Sequence, residues 1–351
     1  MIIDPTTDHR WDEFVSDHPF GWICHLSGWG QALERSFKHI KGHYLAVLDE
    51  EGMRIRSALP LFEVRSWLTG DRLVSIPFAT LCDPLISSSE DFETLMDATL
   101  ELAATLKISR IQIRARASDA LIQDKRLSST RFYQHHYLSL KPEPDKLLKT
   151  FNRTCVRQKI SRANKSDLTL RRADGKSDLF EFYRVFCMTQ KRLGLPPLPY
   201  AFFLALWDAF AQTGNAVVFM AEKNGQVIAG IVLFVFGRRA SLEVAGWDEA
   251  HQKVCPNHYL YWEAIKYARE NGCHIFDFGR TSPNNQGLMT FKKHWGTQVI
   301  DLPEYQYPAC TDEKKVSPDT SMRHRLVRAL CQRAPERAYE HIGRFCYRHL
   351  G

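Results

Sequence analysis

The chain opens on two short stretches with helical spacing of apolar residues, around Trp11–Val15 and Gly28–Phe37. Strand-like runs follow. Tyr44–Leu48, a turn over Asp49-Glu50-Glu51-Gly52 and Met53–Phe62 predict a β-hairpin, and Leu73–Phe78 predicts a further strand after the turn signal Thr69-Gly70-Asp71. Between Phe92 and Leu106 the period changes. Phe92, Leu95, Met96, Leu102, Ala103 and Leu106 mark one helix face, which runs into an alternating strand at Ile108–Arg116. The strand pattern Phe132–Leu140 stops at Pro142 and Pro144, which mark a boundary.

The second half repeats this order. Val217–Ala221, the turn Glu222-Lys223-Asn224-Gly225 and Val227–Phe236 mirror the first hairpin, with Gly225 where Gly52 stood. The strand Ala240–Ala245, the helix His258–Asn271 and the strand His274–Phe278 complete the copy. The pattern predicts an α/β (α+β) protein of two duplicated units, residues 1–145 and 146–310, each a mixed twisted sheet flanked by helices. A basic linker helix over 149–166 opens the second unit. A basic helical tail, 311–351, follows it, with Pro335 starting a second tail helix and a mobile loop expected at Thr311–Thr320.

Composition narrows the class. The 351 residues are 44% hydrophobic and 25% charged, which excludes disordered, collagenous and coiled-coil chains. Val227–Phe236 is too short to span a bilayer, and the N-terminus lacks the basic start and apolar core of a signal peptide. Nine cysteines without a C-x-x-C pair predict free thiols in a reducing cytosol. The net charge of +7 suits phosphate-bearing partners. It is concentrated: Lys149–Arg172 holds eight Lys/Arg, Arg153 and Arg157 among them, against Asp167 alone, and Ser321–Leu350 carries seven arginines. The first strip is either a solvated helix face or a phosphate-binding surface. The tail either docks on the body, lies on an anionic membrane or joins a nucleic-acid footprint.

No metal-ligand spacing is present, since the adjacent His135 and His136 face opposite sides of a strand. Nor is there a P-loop, a Rossmann fingerprint or a G-x-S-x-G elbow. The chemistry-bearing residues gather in 243–307. There lie Trp247, then Asn257 at a helix start as its cap or as a site residue, Trp262 on that helix, and Phe276-Asp277-Phe278-Gly279-Arg280, where a buried strand ends in a glycine. Lys292 follows, flanked by Phe291 and Trp295, rings that would partly desolvate its ammonium and strengthen its field on an oxyanion. Arg280 either meets a phosphate or pairs with Asp277. Glu243, Asp248 and Glu263 are the carboxylates that could act as a base.

The strings Phe-Asp-Phe-Gly-Arg-Thr-Ser (276–282) and Gly-Leu-x-x-Phe-Lys-x-x-Trp-Gly (287–296) resemble the FemAB/FemX peptidyltransferase group of the GNAT superfamily, and most closely the FemAB-related proteins of exopolysaccharide and exosortase systems. The resemblance implies tandem GNAT-like domains and an N-acyltransferase acting on an amine of a cell-envelope saccharide or peptide precursor. It implies that Lys292 stabilises the oxyanion, and that Arg153 and Arg157 hold the diphosphate of a nucleotide- or lipid-linked acceptor. It implies no tightly bound cofactor, a donor that is aminoacyl-tRNA or acyl-CoA, and no DNA partner. It places the protein in the cytoplasm, peripheral to the inner face of the membrane through its tail. Alternatives are a CoA-dependent N-acetyltransferase of an exopolysaccharide amino sugar and a non-catalytic module binding glycan or lipid precursors. Two departures stand out. The stretch Gly30–Arg35 has no lysine where peptidoglycan-modifying members carry one, and His251–Asn257 lacks the glycines with which CoA-binding members grip pyrophosphate.

Overall fold

A computed structural model describes residues 1–309 and 322–350. The first elements are β1 (Ile2–Ile3), α1 (Arg10–Asp17), α2 (Ser27–Ser36), β2 (Ile40–Leu48), β3 (Ile55–Val64), β4 (Arg72–Ser75), α3 (Ser89–Leu106) and β5 (Ile111–Arg114). Next come β6 (Ser128–Ser139), α4 (Pro144–Thr150), α5 (Gln158–Asn164), β7 (Thr169–Arg172), α6 (Lys176–Leu193), α7 (Tyr200–Phe210), β8 (Ala216–Lys223), β9 (Gln226–Phe236) and β10 (Arg239–Trp247). α8 (Pro256–Glu270), β11 (Ile275–Thr281), α9 (Gln286–His294), β12 (Gln298–Tyr307), α10 (Met322–Arg333) and α11 (Glu336–Tyr347) complete the chain. The loop expected at Thr311–Thr320 lies outside the described residues.

Two compact units form. One gathers residues 1–133, 301–309 and 345–350, the other residues 134–300 and 322–344. In the first, the strands run β1-β2-β3-β4-β5-β12. β2 and β3 make the expected hairpin, and β4 lies parallel to β5 through Leu73↔Ile111. Helix α3 joins those parallel strands. The Ser88 hydroxyl caps it by accepting the Asp91 N–H at 3.1 Å, and its apolar face buries Phe92, Leu95 and Met96 against Leu59, Leu61 and Ile113.

The second unit has the same logic, with strands in the order β7-β8-β9-β10-β11-β6. β8 and β9 form the hairpin, β10 is parallel to β11, and α8 connects them. Leu260, Ala264, Ile265 and Ala268 of α8 pack into a core with Phe276, Phe278 and Trp295. The repeat therefore has a physical meaning: each unit is an antiparallel meander ending in a parallel pair that one helix bridges. The closing strands are exchanged in chain order. β6 follows β5 yet pairs with β11, whereas β12 follows β11 and pairs with β5.

Three sequence expectations change. The linker is not one helix over 149–166, because Phe151 and Asn152 are extended. The Asn152 side chain then accepts the N–H groups of Thr154 and Cys155 and starts a π-helical turn, Arg153–Arg157, ahead of α5. Asn257 does not cap α8; Cys255 in the left-handed region does, with Pro256 at the first helical position. The compact division falls within β6, not at the prolines that follow it. Among the described residues no helix is long and apolar enough to cross a membrane.

Candidate active site

The site lies in the second unit, where two parallel strands part. β10 and β11 pair only over Arg239↔Ile275, Ala240↔Phe276 and Ser241↔Asp277. Beyond that point β10 continues on β9 as far as Trp247, and β11 continues on β6 as far as Thr281. Both strands bulge at the divergence, β10 between Leu242 and Val244 and β11 between Asp277 and Gly279. A bulge leaves one residue unpaired and bends its strand, so two bulges at one level open a gap at the carboxyl end of the parallel pair. Glu243 is the bulged residue of β10.

Asp277 organises the floor of this gap. It is fully buried, with His135 Nε2 2.6 Å and Arg239 Nη1 2.9 Å from its carboxylate and the Gly279 N–H donating to it at 2.8 Å. Although burial opposes ionisation, these partners hold its pKa down at about 2. Gly279 sits at φ +72°, a conformation that favours glycine, and this turn aims its N–H at Asp277. The string Asp-Phe-Gly-Arg is thus a carboxylate, a bulge and the turn that satisfies the carboxylate. On β10, Arg239, Ser241 and Glu243 alternate onto one face. The buried Ser241 hydroxyl donates to Glu243 Oε1 at 2.7 Å, and burial raises the Glu243 pKa to about 7.

Helix α9 delivers the cation. The Asn285 side chain caps it by accepting the Leu288 N–H at 3.1 Å, and Lys292 lies in its last turn. That side chain is only 5% exposed, and its ammonium donates to the carbonyls of Gly279 and Arg280 at 3.0 and 3.1 Å. Two bonds leave a third N–H for a ligand oxygen. Burial lowers the pKa to about 8, against the opposing pull of Asp277 and Glu243. At pH 7 about nine-tenths of such a group is protonated. His136, which faces the α9 side with Nε2 3.3 Å from Met289 Sδ, is kept neutral by burial and by the Lys292 charge, with a pKa of about 4.

The expected rings have a different task. Trp295 is fully buried, and its ring packs with Phe151, His258, Tyr261 and Phe291. Trp262 packs edge-on against Phe151. Both serve the core, so the expectation that they contact substrate is corrected; they set the wall that α9 rests on, while the ammonium turns to β11. Trp247 ends β10, its backbone tied to the Thr189 hydroxyl and its ring 4.3 Å from the Arg192 guanidinium. Arg280 is exposed beside the Lys292 contact.

A second polar group gathers where the π-helical turn meets the start of α8. His258 Nε2, Asn257 Oδ1 and Arg157 Nε are buried atoms without a hydrogen-bond partner among the described residues. The Cys155 backbone and the Lys159 charge both act on the His258 ring. Arg153, four residues before Arg157, is exposed. Sequence reasoning weighed His135 only as a metal ligand and missed Arg239 and Ser241 altogether. The alternation of Arg239, Ser241 and Glu243 was the available signal.

Comparison with known proteins agrees with this architecture. The profile of the acetyltransferase (GNAT) domain family matches residues 151–293, the segment containing the splayed strands. The lipid II:glycine glycyltransferase of Staphylococcus haemolyticus (strain JCSC1435) is 31% identical over 91 residues, 24% of this chain and 22% of that protein. The lipid II:glycine glycyltransferase of Staphylococcus aureus is 22% identical over 86% of this chain and 91% of its own length. The crystal structure of FemX superposes with a TM-score of 0.70 at 19% identity, covering 88% of this chain and 96% of FemX. Residues 151–293 match a GNAT domain, and the chain has the fold of FemX. A tandem GNAT protein from the clavulanic acid biosynthesis pathway also shares this fold, with a TM-score of 0.56 at 12% identity over 89% of this chain and 99% of that one.

Proposed function

We propose that this acyltransferase moves an aminoacyl group from an ester donor, an aminoacyl-tRNA, onto a primary amine of a lipid-linked cell-envelope precursor. The observation that carries the reading is the pairing of Lys292 and Glu243 at the parted strands: a buried cation with an N–H to spare and a carboxylate poised near neutrality. The amine nitrogen attacks the ester carbonyl carbon, and the carbonyl electron pair moves onto oxygen. Lys292 meets that oxyanion, a contribution of about 3 kcal/mol for one such donor. Glu243 accepts the proton of the attacking nitrogen. Collapse of the intermediate breaks the ester C–O bond, and the proton held by Glu243 returns to the leaving hydroxyl. Asp277 keeps Lys292 charged, and His136, with its pKa of about 4, is too weak a base for this task at neutral pH.

Arg153, Arg157 and the start of α8 are assigned to donor or acceptor phosphate, in line with the orphaned buried polar atoms around them. Arg280, exposed at the mouth of the gap, and Trp247 with Phe291 are assigned to substrate contact. The lipid II:glycine glycyltransferases support a lipid-linked acceptor, and such an acceptor would bring the protein to a membrane face, with the basic tail towards it. The absence of a glycine grip before α8 favours the ester donor over acyl-CoA. The test is to offer the purified protein charged tRNA and acyl-CoA separately with an amine acceptor. Turnover with charged tRNA alone supports the reading, and turnover with acyl-CoA alone assigns the chain to the CoA-dependent alternative.

A further inference from the structure

A cavity of about 540 Å³ opens in the first unit, between the chain that leaves β1, helix α2 and the edge of β2. Strand β1 pairs with β2 only at Tyr44 and Leu45, so that edge of β2 runs on past it towards Ile40. Tyr44 enters the cavity from the sheet. Trp11 and Phe62 fix its ring edge-on, and the residue is 7% exposed. Two glycines clear its path. A Cβ on Gly30 of α2 would stand 1.9 Å from the Tyr44 hydroxyl, and one on Gly42 would stand 2.8 Å from the ring. Glycine weakens a helix interior, so its place at position 30 answers to the hydroxyl it admits. That hydroxyl meets no hydrogen-bond partner among the described residues, yet it is not sealed in the core. A polar atom in this position calls for a ligand or a water.

The groups around it accept. Glu34 of α2 takes the Gly42 N–H on Oε1 at 2.7 Å, which fixes the carboxylate over the edge of β2 and leaves Oε2 unpaired among the described residues. Asp4 takes the N–H and the hydroxyl of Thr6 on Oδ1, at 2.9 and 2.6 Å. Burial and the charges of Glu34, Asp12 and Asp4 all push the Tyr44 pKa up, so three carboxylates surround one protonated hydroxyl. Asp12 is already engaged by the N–H and hydroxyl of Ser27. Lys41 and His43 alternate with Gly42 and Tyr44 onto the other face of β2, where Glu63 stands in register with the first and 3.3 Å from the second. The group that matches this set donates in several directions and accepts in none, which describes a primary ammonium. Phosphate would be repelled by the carboxylates, and a neutral hydroxyl would leave their charge unanswered.

We propose that this cavity of the first unit binds an ammonium-bearing ligand, held by Glu34, Asp4 and the Tyr44 hydroxyl. The site holds its ligand without transforming it, and it does not depend on the acyl transfer assigned to the second unit. The test titrates the full chain by calorimetry at neutral pH with cadaverine and glucosamine, and with pentanediol and glucose as the same frames without ammonium groups. At least one amine is expected to bind, neither counterpart is, and binding should weaken as salt is raised. Glu34→Gln can still accept the Gly42 N–H and should weaken amine binding at least about tenfold. Tyr44→Phe should weaken it about fivefold, with Tm unchanged or raised because only an unpartnered hydroxyl is removed. Failure of both amines to bind, or counterparts that bind as tightly, overturns the proposal. Amine binding undiminished in either variant belongs to another position and overturns it equally. Amine binding that both variants weaken, in a protein that transfers no acyl group, would instead refute the transfer reading and leave this site standing.

Discussion

The sharpest consequence of the site is its response to pH, and Glu243→Gln isolates it. Burial raises the Glu243 pKa to about 7 and lowers that of Lys292 to about 8. Transfer needs the first deprotonated and the second protonated, so kcat/KM should pass through a maximum near pH 7.5 and fall about six-fold by pH 6 and by pH 9. The acceptor amine also titrates, but its contribution cancels in the ratio of wild type to E243Q at each pH. That ratio should be about 10² to 10⁴ and flat above pH 7, and it should shrink about tenfold per unit below it. Initial rates of aminoacyl transfer across the range measure it. Stability supplies a second readout. The raised pKa means the fold disfavours the carboxylate, so this group's contribution is intact below about pH 4.5 and is lost as pH rises through about 7. E243Q should therefore gain up to about 3 kcal/mol at pH 8 and nothing at pH 4. A rate ratio independent of pH would refute Glu243 as the proton acceptor.

Three further outcomes follow from the same geometry. Lys292→Met should lower kcat about a hundredfold or more and abolish the alkaline limb of the profile, without lowering Tm by more than a few degrees, because it removes a desolvated charge. Asp277→Asn leaves Arg239 without its buried counter-charge and His135 without its carboxylate partner, so urea denaturation should show a loss of about 3 kcal/mol or more. Arg157→Ala should raise KM for the phosphate-bearing substrate about tenfold with kcat little changed, and should flatten the salt dependence of KM.

Much of the fold was legible because its determinants are local. The continuous apolar run Val227–Phe236 and the turns at Gly52 and Gly225 announced the hairpins, and the change of period at Phe92 and His258 announced the bridging helices. The exchange of β6 and β12 was not, since strand order beyond neighbours leaves no trace in periodicity. The same distinction holds in the site. Lys292 and Asp277 stood out through their motifs, but the partners of Asp277 lie 38 and 142 residues away, at Arg239 and His135. Trp295, expected beside the Lys292 ammonium, instead follows the end of α9 and turns into the core against Phe151, His258 and Tyr261. The long basic segment hid a break at Asn152, where one side chain capturing two N–H groups outweighed the helical pattern.

Product mass is the most direct test of the account. Wild type and Lys292→Met would each be given charged tRNA and an amine acceptor, and the acceptor would then be weighed by mass spectrometry. The wild type should add one aminoacyl residue to the acceptor, and the variant should add about a hundredth as much in the same time. A variant as productive as the wild type, or an acceptor unchanged by the wild type, would contradict it.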